Sequence, residues 1–168
     1  QIKGPMGKGL APASTGVHLA FAAGTGNLCF VDMMAHVALS VLGLTSQEDG
    51  QNGQIDPSKF ELHLYASFPS KAEAVAWELC EALRGYCKRN NLRTFIFNER
   101  LSKEKINPAR WDEKWVEAEL RKFKDRKVER LWVCGPPMMN ELFDRTLMDM
   151  RRRLPAAEMI DQFNIELL

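Results

Sequence analysis

The chain has 168 residues, enough for one domain with a substantial core. Apolar residues make up 45% and charged residues 27%, which is typical of a globular protein and excludes a disordered or fibrous one. The net charge is +1 and no basic segment is interleaved with aromatic residues, so we expect no nucleic acid partner. The four cysteines lack the spacing of a metal site, so we expect reduced thiols and no metal.

Strand and helix patterns alternate along the chain. Apolar runs rich in β-favouring residues predict strands over 17–23, 60–66, 92–97, 128–134 and 163–167. Helical periodicity predicts a first helix capped by Asn27 and a long second helix capped by Ser70. Two further helices are predicted over 111–123 and 139–152. This alternation predicts a doubly wound α/β domain, with about five parallel strands flanked by helices.

Residues 1–16 do not join this alternation, and their glycines suit a loop. We therefore interpret 1–16 as a linker and 17–168 as one domain. The chain begins at Gln1 without an initiator methionine, which leads us to expect a further domain upstream. The apolar stretch 31–44 is too short for a membrane span and contains Asp32 and His36. We expect a cytoplasmic location, or one on the cytoplasmic face of a membrane if upstream sequence supplies a tether.

A glycine turn, Gly24-Thr25-Gly26, follows the first predicted strand. Backbone amides and the helix dipole at such a turn can hold a pyrophosphate, and glycine lets the phosphate approach closely. A larger side chain at Gly26 should then block nucleotide binding and leave the fold intact. The standard dinucleotide fingerprint is absent, because Cys29 stands where its third glycine belongs and no acidic residue directly follows the second strand.

A second turn follows the fourth predicted strand, with the sequence Cys134-Gly135-Pro136-Pro137-Met138. The two prolines stiffen this turn and remove two N–H donors. The next helix can begin at Met138 or Met139, with its positive end towards the crevice at the carboxyl end of the strand. Open parallel sheets bind their ligands in such crevices.

Taken together, these segments resemble the nucleotide-binding half of the ferredoxin–NADP reductase family, which includes cytochrome b5 reductases, ferric reductases and NADPH oxidases. The resemblance rests on the two turns above, on the segment from Gly4 to Leu10, and on the ending 163–168. It implies a domain that binds NADPH or NADH, and an upstream FAD-binding domain of the same protein. The implied reaction is hydride transfer from the nicotinamide to FAD, followed by electron transfer to an acceptor that the sequence does not identify.

The resemblance also implies roles for individual residues. Gly24, Thr25 and Gly26, with Asn27 beside them, would bind the pyrophosphate and ribose. Cys134 and Glu166 would lie at the site of hydride transfer. The remaining crevice residues implied by the family are Gly135, Pro136 and Met138.

The end of the second strand should decide between the two coenzymes, because a 2′-phosphate needs cationic and hydroxyl donors. Ser67, Ser70 and Lys71 could supply them, with Arg100 as a neighbour, and 67–72 contains no carboxylate. This tilts the prediction slightly towards NADPH, although Ser70 and Lys71 could instead cap and solvate a helix.

Two departures from the family pattern support an alternative. No proline follows the first glycine turn closely, and the chain ends in Leu167-Leu168 without the terminal aromatic residue of many members. The alternative is an interaction module that keeps the nucleotide-binding fold and has lost its catalysis.

Overall fold

The structure is a computed structural model that describes residues 10–44, 55–107, 110–154 and 164–168. These residues contain a five-stranded sheet in the order β3-β2-β1-β4-β5, and all neighbouring strands are parallel. The strands are β1 (Gly16–Ala23), β2 (Phe60–Phe68), β3 (Phe95–Leu101), β4 (Val128–Cys134) and β5 (Ile165–Leu167). The predicted α/β class and parallel sheet are confirmed.

Helices connect the strands and cover the sheet. In the described residues the α-helices are α1 (Val31–Val41), α2 (Trp77–Arg89), α3 (Glu113–Arg121) and α4 (Pro137–Arg153). Two short 3-10 segments precede α1 and α2, namely η1 (Gly24–Phe30) and η2 (Lys71–Glu73). The fourth strand ends where the sequence predicts, and α4 begins at Pro137, one residue before Met138 and two before Met139, the two predicted starts.

The alternating side chains of the central strands form two cores, one on each face of the sheet. On the face towards α1 and α2, Ala20, Ala22 and Trp132 are fully buried. On the face towards α3 and α4, Leu19, Phe21 and Val133 are fully buried. Because β1 and β4 are covered on both faces, they need apolar residues at consecutive positions, which explains the nearly continuous apolar sequence of β1 and the apolar run 131–133 of β4.

The second helix begins later than the sequence predicts. The predicted cap at Ser70 is wrong, because α2 starts at Trp77 and its N-cap residue Ala76 has a left-handed backbone with φ of 57°. Ala74 is extended, so no helix runs through it. The carbonyl of Val75 accepts a hydrogen bond from the Asn27 side chain at 2.9 Å. A tertiary contact therefore holds this carbonyl outside the helix.

The third strand is also displaced, since it spans Phe95–Leu101 and not 92–97. Leu92 still belongs to the turn after α2, because its N–H donates to the carbonyl of Cys87 at 2.9 Å. The strand then continues through the polar run from Asn98 to Arg100. Because β3 is an edge strand, one of its edges has no neighbouring strand, and polar residues are tolerated there.

Residues 10–16, the described part of the predicted linker, pack against the domain. The N–H of Ala13 donates to Nε2 of His18 at 3.1 Å, and the guanidinium of Arg130 donates to the carbonyl of Ala11 at 3.2 Å. Residues 1–9 lie outside the described residues, so the domain boundary stays a prediction. In the described ranges, no helix has the length and apolar content needed to cross a membrane.

Candidate nucleotide site

The two turns singled out in the sequence lie side by side. Strands β1 and β4 are neighbours, and Ala22 is level with Cys134 at their carboxyl ends. From β1 the chain moves to β2 and β3 on one side, and then to β4 and β5 on the other. This reversal is the topological switch point, where open α/β sheets bind ligands. We call the space between the turns 24–26 and 134–136 the β1–β4 crevice.

Gly26 lies directly against the end of β4. A Cβ atom built on Gly26 would be 2.2 Å from the carbonyl oxygen of Cys134 and 2.7 Å from its carbonyl carbon. Gly26 is also buried. The expectation that a larger residue at Gly26 would leave the fold intact is therefore wrong, because that side chain would collide with the backbone of β4.

Gly24 and Thr25 form the open part of the same turn. Gly24 has a φ of +56°, which favours glycine, and a Cβ added to it would meet nothing within 4 Å. Thr25 is exposed. These two residues leave room for a ligand at the crevice, whereas Gly26 is buried against the end of β4.

Asn27 lies inside the core and caps no helix. It is 0% exposed, and its amide donates to the carbonyl of Val75. No side-chain hydrogen bond caps η1 or α1, so the predicted capping role of Asn27 is wrong. Its oxygen Oδ1 is buried without a protein partner. With no exposed surface for a ligand, Asn27 positions the loop before α2, and its assignment to the cofactor has no support in this geometry.

The Cys134 thiol lies next to a second thiol. Its Sγ atom is 3.3 Å from Sγ of Cys29, which is exposed in η1. Burial, and then the neighbouring Cys29 sulfur, raise the pKa of Cys134 to about 11, so this thiol is protonated at neutral pH. Cys134 can therefore offer a compact, polarisable, uncharged group to the crevice.

The turn after β4 is closely packed on one side and exposed on the other. A Cβ on Gly135 would lie 2.7 Å from Sδ of Met139 and 3.2 Å from Cβ of Ala23. Pro136 is the N-cap residue of α4, and both it and Pro137 are exposed. Met138 is 75% exposed in the first turn of α4. Pro136 and Pro137 have no N–H, and the N–H groups of Met139 and Asn140 donate to the carbonyl of Pro136, so this turn offers an anion mainly the positive dipole end of α4.

Glu166 lies on the short edge strand β5, level with Trp132 of β4. Paired residues of parallel strands point to the same face, so Glu166 shares the face of Trp132 and, two residues further, of Cys134. Leu168 continues along the strand, since its N–H donates to the carbonyl of Val133 at 2.8 Å. Glu166 is thus positioned near the β4 end of the crevice, and its role there stays a prediction.

Ser67 and Arg100 come together at the ends of β2 and β3. They are level in the sheet, and the Arg100 guanidinium donates to the Ser67 hydroxyl at 3.0 Å. Ser67 is also level with Ala23 of β1, so the pair lies beside the first glycine turn. The predicted proximity of Arg100 to Ser67 is confirmed.

Ser70 and Lys71 lie beside two carboxylates, one that is local in the sequence, Glu73, and one that the fold brings from 33 residues away, Glu104. The Ser70 hydroxyl donates to Glu73 at 2.8 Å, and the backbone N–H of Lys71 donates to Glu104 at 2.6 Å. The ammonium of Lys103 also contacts Glu73, at 2.7 Å. Although 67–72 itself contains no carboxylate, Glu73 and Glu104 bring negative charge to this region and neutralise part of its positive charge.

Sequence reasoning missed two features of this region. The first is the position of Cys29, which was interpreted only as one of four reduced thiols and as the residue at the third glycine position of the fingerprint. Its three-residue spacing from Gly26 places both residues on one side of a 3-10 helix. The second feature is a group of exposed apolar residues on the elements that border the crevice, called the apolar rim below. Its members and their exposures are Leu28 at 53%, Met138 at 75%, Leu167 at 39% and Leu168 at 45%.

Comparison with known proteins gives a structural match and no sequence match. No family model and no curated protein matches the chain. Among solved structures, ferredoxin-NADP+ reductase from Plasmodium falciparum matches with a TM-score of 0.54 and 14% identity, over 92% of this chain and 53% of that one. Its H286K mutant, in complex with 2'P-AMP, matches with a TM-score of 0.54 and 12% identity, over 92% and 54%.

A second kind of reductase gives the same result. The cytochrome b5 reductase domain of Ulva prolifera nitrate reductase matches with a TM-score of 0.51 and 14% identity, over 92% of this chain and 49% of that chain. The chain therefore spans about half the length of the solved proteins it matches. At this identity the similarity concerns the fold: the chain has the fold of the ferredoxin reductase-like NADP-binding domain.

Proposed function

We propose that this chain is the pyridine-nucleotide-binding part of a flavin-dependent oxidoreductase, which positions NADPH or NADH for hydride transfer to FAD. The observation that carries the proposal is the pair of turns at the switch point. Gly26 packs against the Cys134 carbonyl, and this contact holds both turns at one crevice. Neither turn alone would specify a nucleotide.

The pyrophosphate would bind at the first turn. Gly24 leaves open space, Thr25 is exposed, and the positive dipole end of α4 lies on the opposite side of the crevice. An anion with two phosphates suits such an arrangement. Gly135 and Pro136 would shape the far wall, and Met138 would cover the bound nucleotide.

The nicotinamide would lie at Cys134. FAD, bound by an adjoining domain, would supply the redox chemistry. The Cys134 thiol stays neutral at the end of β4 and would hold the ring without adding charge. Glu166, on the same face of the sheet, would contribute a carboxylate close to this end of the crevice. Both residues would act by position and electrostatics.

The adenosine end would lie beside Ser67 and Arg100. The hydroxyl and the guanidinium are 3.0 Å apart and could both contact a 2′-phosphate. Glu73 and Glu104 oppose this preference, since they hold the Ser70 hydroxyl and the Lys71 N–H. We therefore propose that both coenzymes bind, with at most a modest preference for NADPH.

The partner would be an FAD-binding domain of the same protein, docked on the apolar rim. Four exposed apolar residues border one crevice, which is the kind of surface that marks a contact site. The chain also spans only about half of each solved reductase that it matches. No feature of the described residues identifies the electron acceptor.

Titration of NADPH and NADH into the purified chain, by calorimetry or saturation-transfer NMR, tests the proposal. We expect weak binding of both coenzymes, because the adjoining domain would supply part of the pocket. Thr25→Glu should weaken binding by at least about tenfold, because it places a charge beside the pyrophosphate. Ala118→Glu is the matched control, since it adds the same charge at an exposed position of α3 and should leave binding unchanged.

Two outcomes would contradict the proposal. One is no binding of either coenzyme up to millimolar concentration, which would favour the alternative interaction module. The other is equal weakening by Thr25→Glu and Ala118→Glu, which would show a general charge effect and no binding at the first turn.

A further inference from the structure

A pair of thiols stands at the β1–β4 crevice. Sγ of Cys29 and Sγ of Cys134 are 3.3 Å apart, although 105 residues separate them in the chain. The other two cysteines, Cys80 and Cys87, are buried in the core. The pair is accessible from solvent, because Cys29 is exposed and Cys134 is half-buried.

The fold brings these sulfurs together for a definite reason. Residues three apart lie above one another in a 3-10 helix, so Gly26 and Cys29 share one side of η1. Gly26 packs against Cys134 so closely that a Cβ there would be 3.2 Å from the Cys134 sulfur. The absence of that Cβ leaves the Cys134 thiol facing Cys29.

We propose that Cys29 and Cys134 are a redox modification site, which hydrogen peroxide converts to an intramolecular disulfide that a dithiol reductant reverses. The separation of 3.3 Å must shorten to the bond length of about 2.05 Å. A small rotation of the exposed Cys29 side chain can supply this movement. The second part of the inference is that the disulfide weakens nucleotide binding at the β1–β4 crevice, and this part rests on the proposed function.

The chemistry balances with peroxide as the oxidant. The Cys29 thiolate attacks one peroxide oxygen, the O–O bond breaks, and the departing hydroxide takes a proton to become water. The Cys134 sulfur then attacks the Cys29 sulfenic acid, the S–O bond breaks, and hydroxide leaves with the thiol proton as a second water. Two thiols lose two electrons and two protons, and one peroxide becomes two waters.

The order of these steps follows from exposure. Cys29 is the exposed thiol and meets the oxidant first, whereas Cys134 is half-buried and protonated at neutral pH. Cys134 therefore acts as the resolving thiol. The new bond would tie η1 to the end of β4 and remove the free Cys134 thiol from the crevice.

Non-reducing peptide mapping after brief peroxide treatment tests the site. We expect a cross-linked peptide joining Cys29 to Cys134, an intact mass lower by two hydrogens, and two fewer alkylatable thiols after denaturation. A dithiol reductant should restore all of them. Cys29→Ser and Cys134→Ser should each abolish the cross-link. Ser40→Ala, which removes a hydroxyl from α1 away from both thiols, is the control that retains it.

Over-oxidation of Cys29 without a cross-link, or a disulfide between two molecules, would overturn the site. NADPH titration of the reduced and the oxidised chain then tests its effect, for which we expect at least about tenfold weaker binding after oxidation. Equal NADPH affinity of the reduced and the oxidised chain would overturn the proposed effect of the disulfide on nucleotide binding. A reduced chain that binds no NADPH would instead contradict the proposed function, and the peptide map would still decide whether the thiol pair exists.

Discussion

Gly26 lies so close to Cys134 that a Cβ atom on it would be 2.2 Å from the Cys134 carbonyl oxygen. This contact joins the turn after β1 to the turn after β4 across the switch point of the sheet. The carbonyl belongs to backbone and cannot rotate away as a side chain could. The fold itself therefore requires glycine at this position, whether or not a ligand binds.

Gly26→Ala should destabilise the protein by about 2 kcal/mol or more, because overpacking against backbone forces the two turns apart. Chemical denaturation monitored by tryptophan fluorescence measures the loss. Gly43→Ala is the matched control, since Gly43 has a φ of +68° with open space around it and should cost only about 1 kcal/mol of strain. A Gly26→Ala loss no larger than that of the control would contradict the close contact.

Asn27→Ala should lower the free energy of unfolding by about 1–2 kcal/mol, because it leaves the partly buried carbonyl of Val75 without its donor. The start of α2 should also open more often, which hydrogen exchange at Trp77 and Glu78 would detect. Asn90→Ala is the control: its amide also donates to a carbonyl, that of Tyr86 at 2.9 Å, but at the surface. Similar losses for the two variants would argue against a positioning role for Asn27.

The stability of the protein should fall as the pH drops below about 6.5. His18 is fully buried between the rings of Phe60 and Trp132, and burial lowers its pKa to about 4. Between these values the unfolded chain binds a proton that the folded chain does not, so acid favours unfolding. The loss attributable to His18 should reach about 3 kcal/mol near pH 4. Burial also lowers the pKa of His63, which acts in the same direction.

Denaturation at a series of pH values, with wild type and His18→Phe, isolates this contribution. The variant should show a shallower decline between about pH 6.5 and 5. His36→Gln, at an exposed position, should keep the wild-type slope. An unchanged slope in His18→Phe would contradict the assignment to His18.

Glu73→Gln should strengthen NADPH binding by about two- to fivefold and change NADH binding little. The carboxylate now holds the Ser70 hydroxyl and the Lys103 ammonium, and its loss would release both towards a 2′-phosphate. Competition between the two coenzymes in one NMR sample measures the ratio. Glu78→Gln, an exposed change on α2, should leave the ratio at its wild-type value. An equal change in NADH and NADPH affinity would show that the effect of Glu73 does not act through the 2′-phosphate.

Much of the fold follows from sequence patterns that act locally. The strand 128–134 ends in a buried apolar run over 131–133, and the prolines after it suit the start of the next helix, so its end was predictable. The start of α2 was not, because the hydrogen bond that holds Val75 outside the helix comes from Asn27, 48 residues earlier. Local propensity cannot anticipate a donor supplied by a distant turn.

The candidate site, like the fold, was predictable from the sequence only in part. The sequence alone determined an alternating α/β domain and two glycine turns at strand ends, because apolar period and turn chemistry are properties of neighbouring residues. Only the tertiary structure decided that Gly26 meets Cys134, that Cys29 completes a thiol pair, and that Glu104 lies beside Lys71. Those relationships depend on strand order and on which loops the sheet brings to one edge. A linear pattern does not contain that information, because residues far apart in the chain become neighbours only when the sheet assembles.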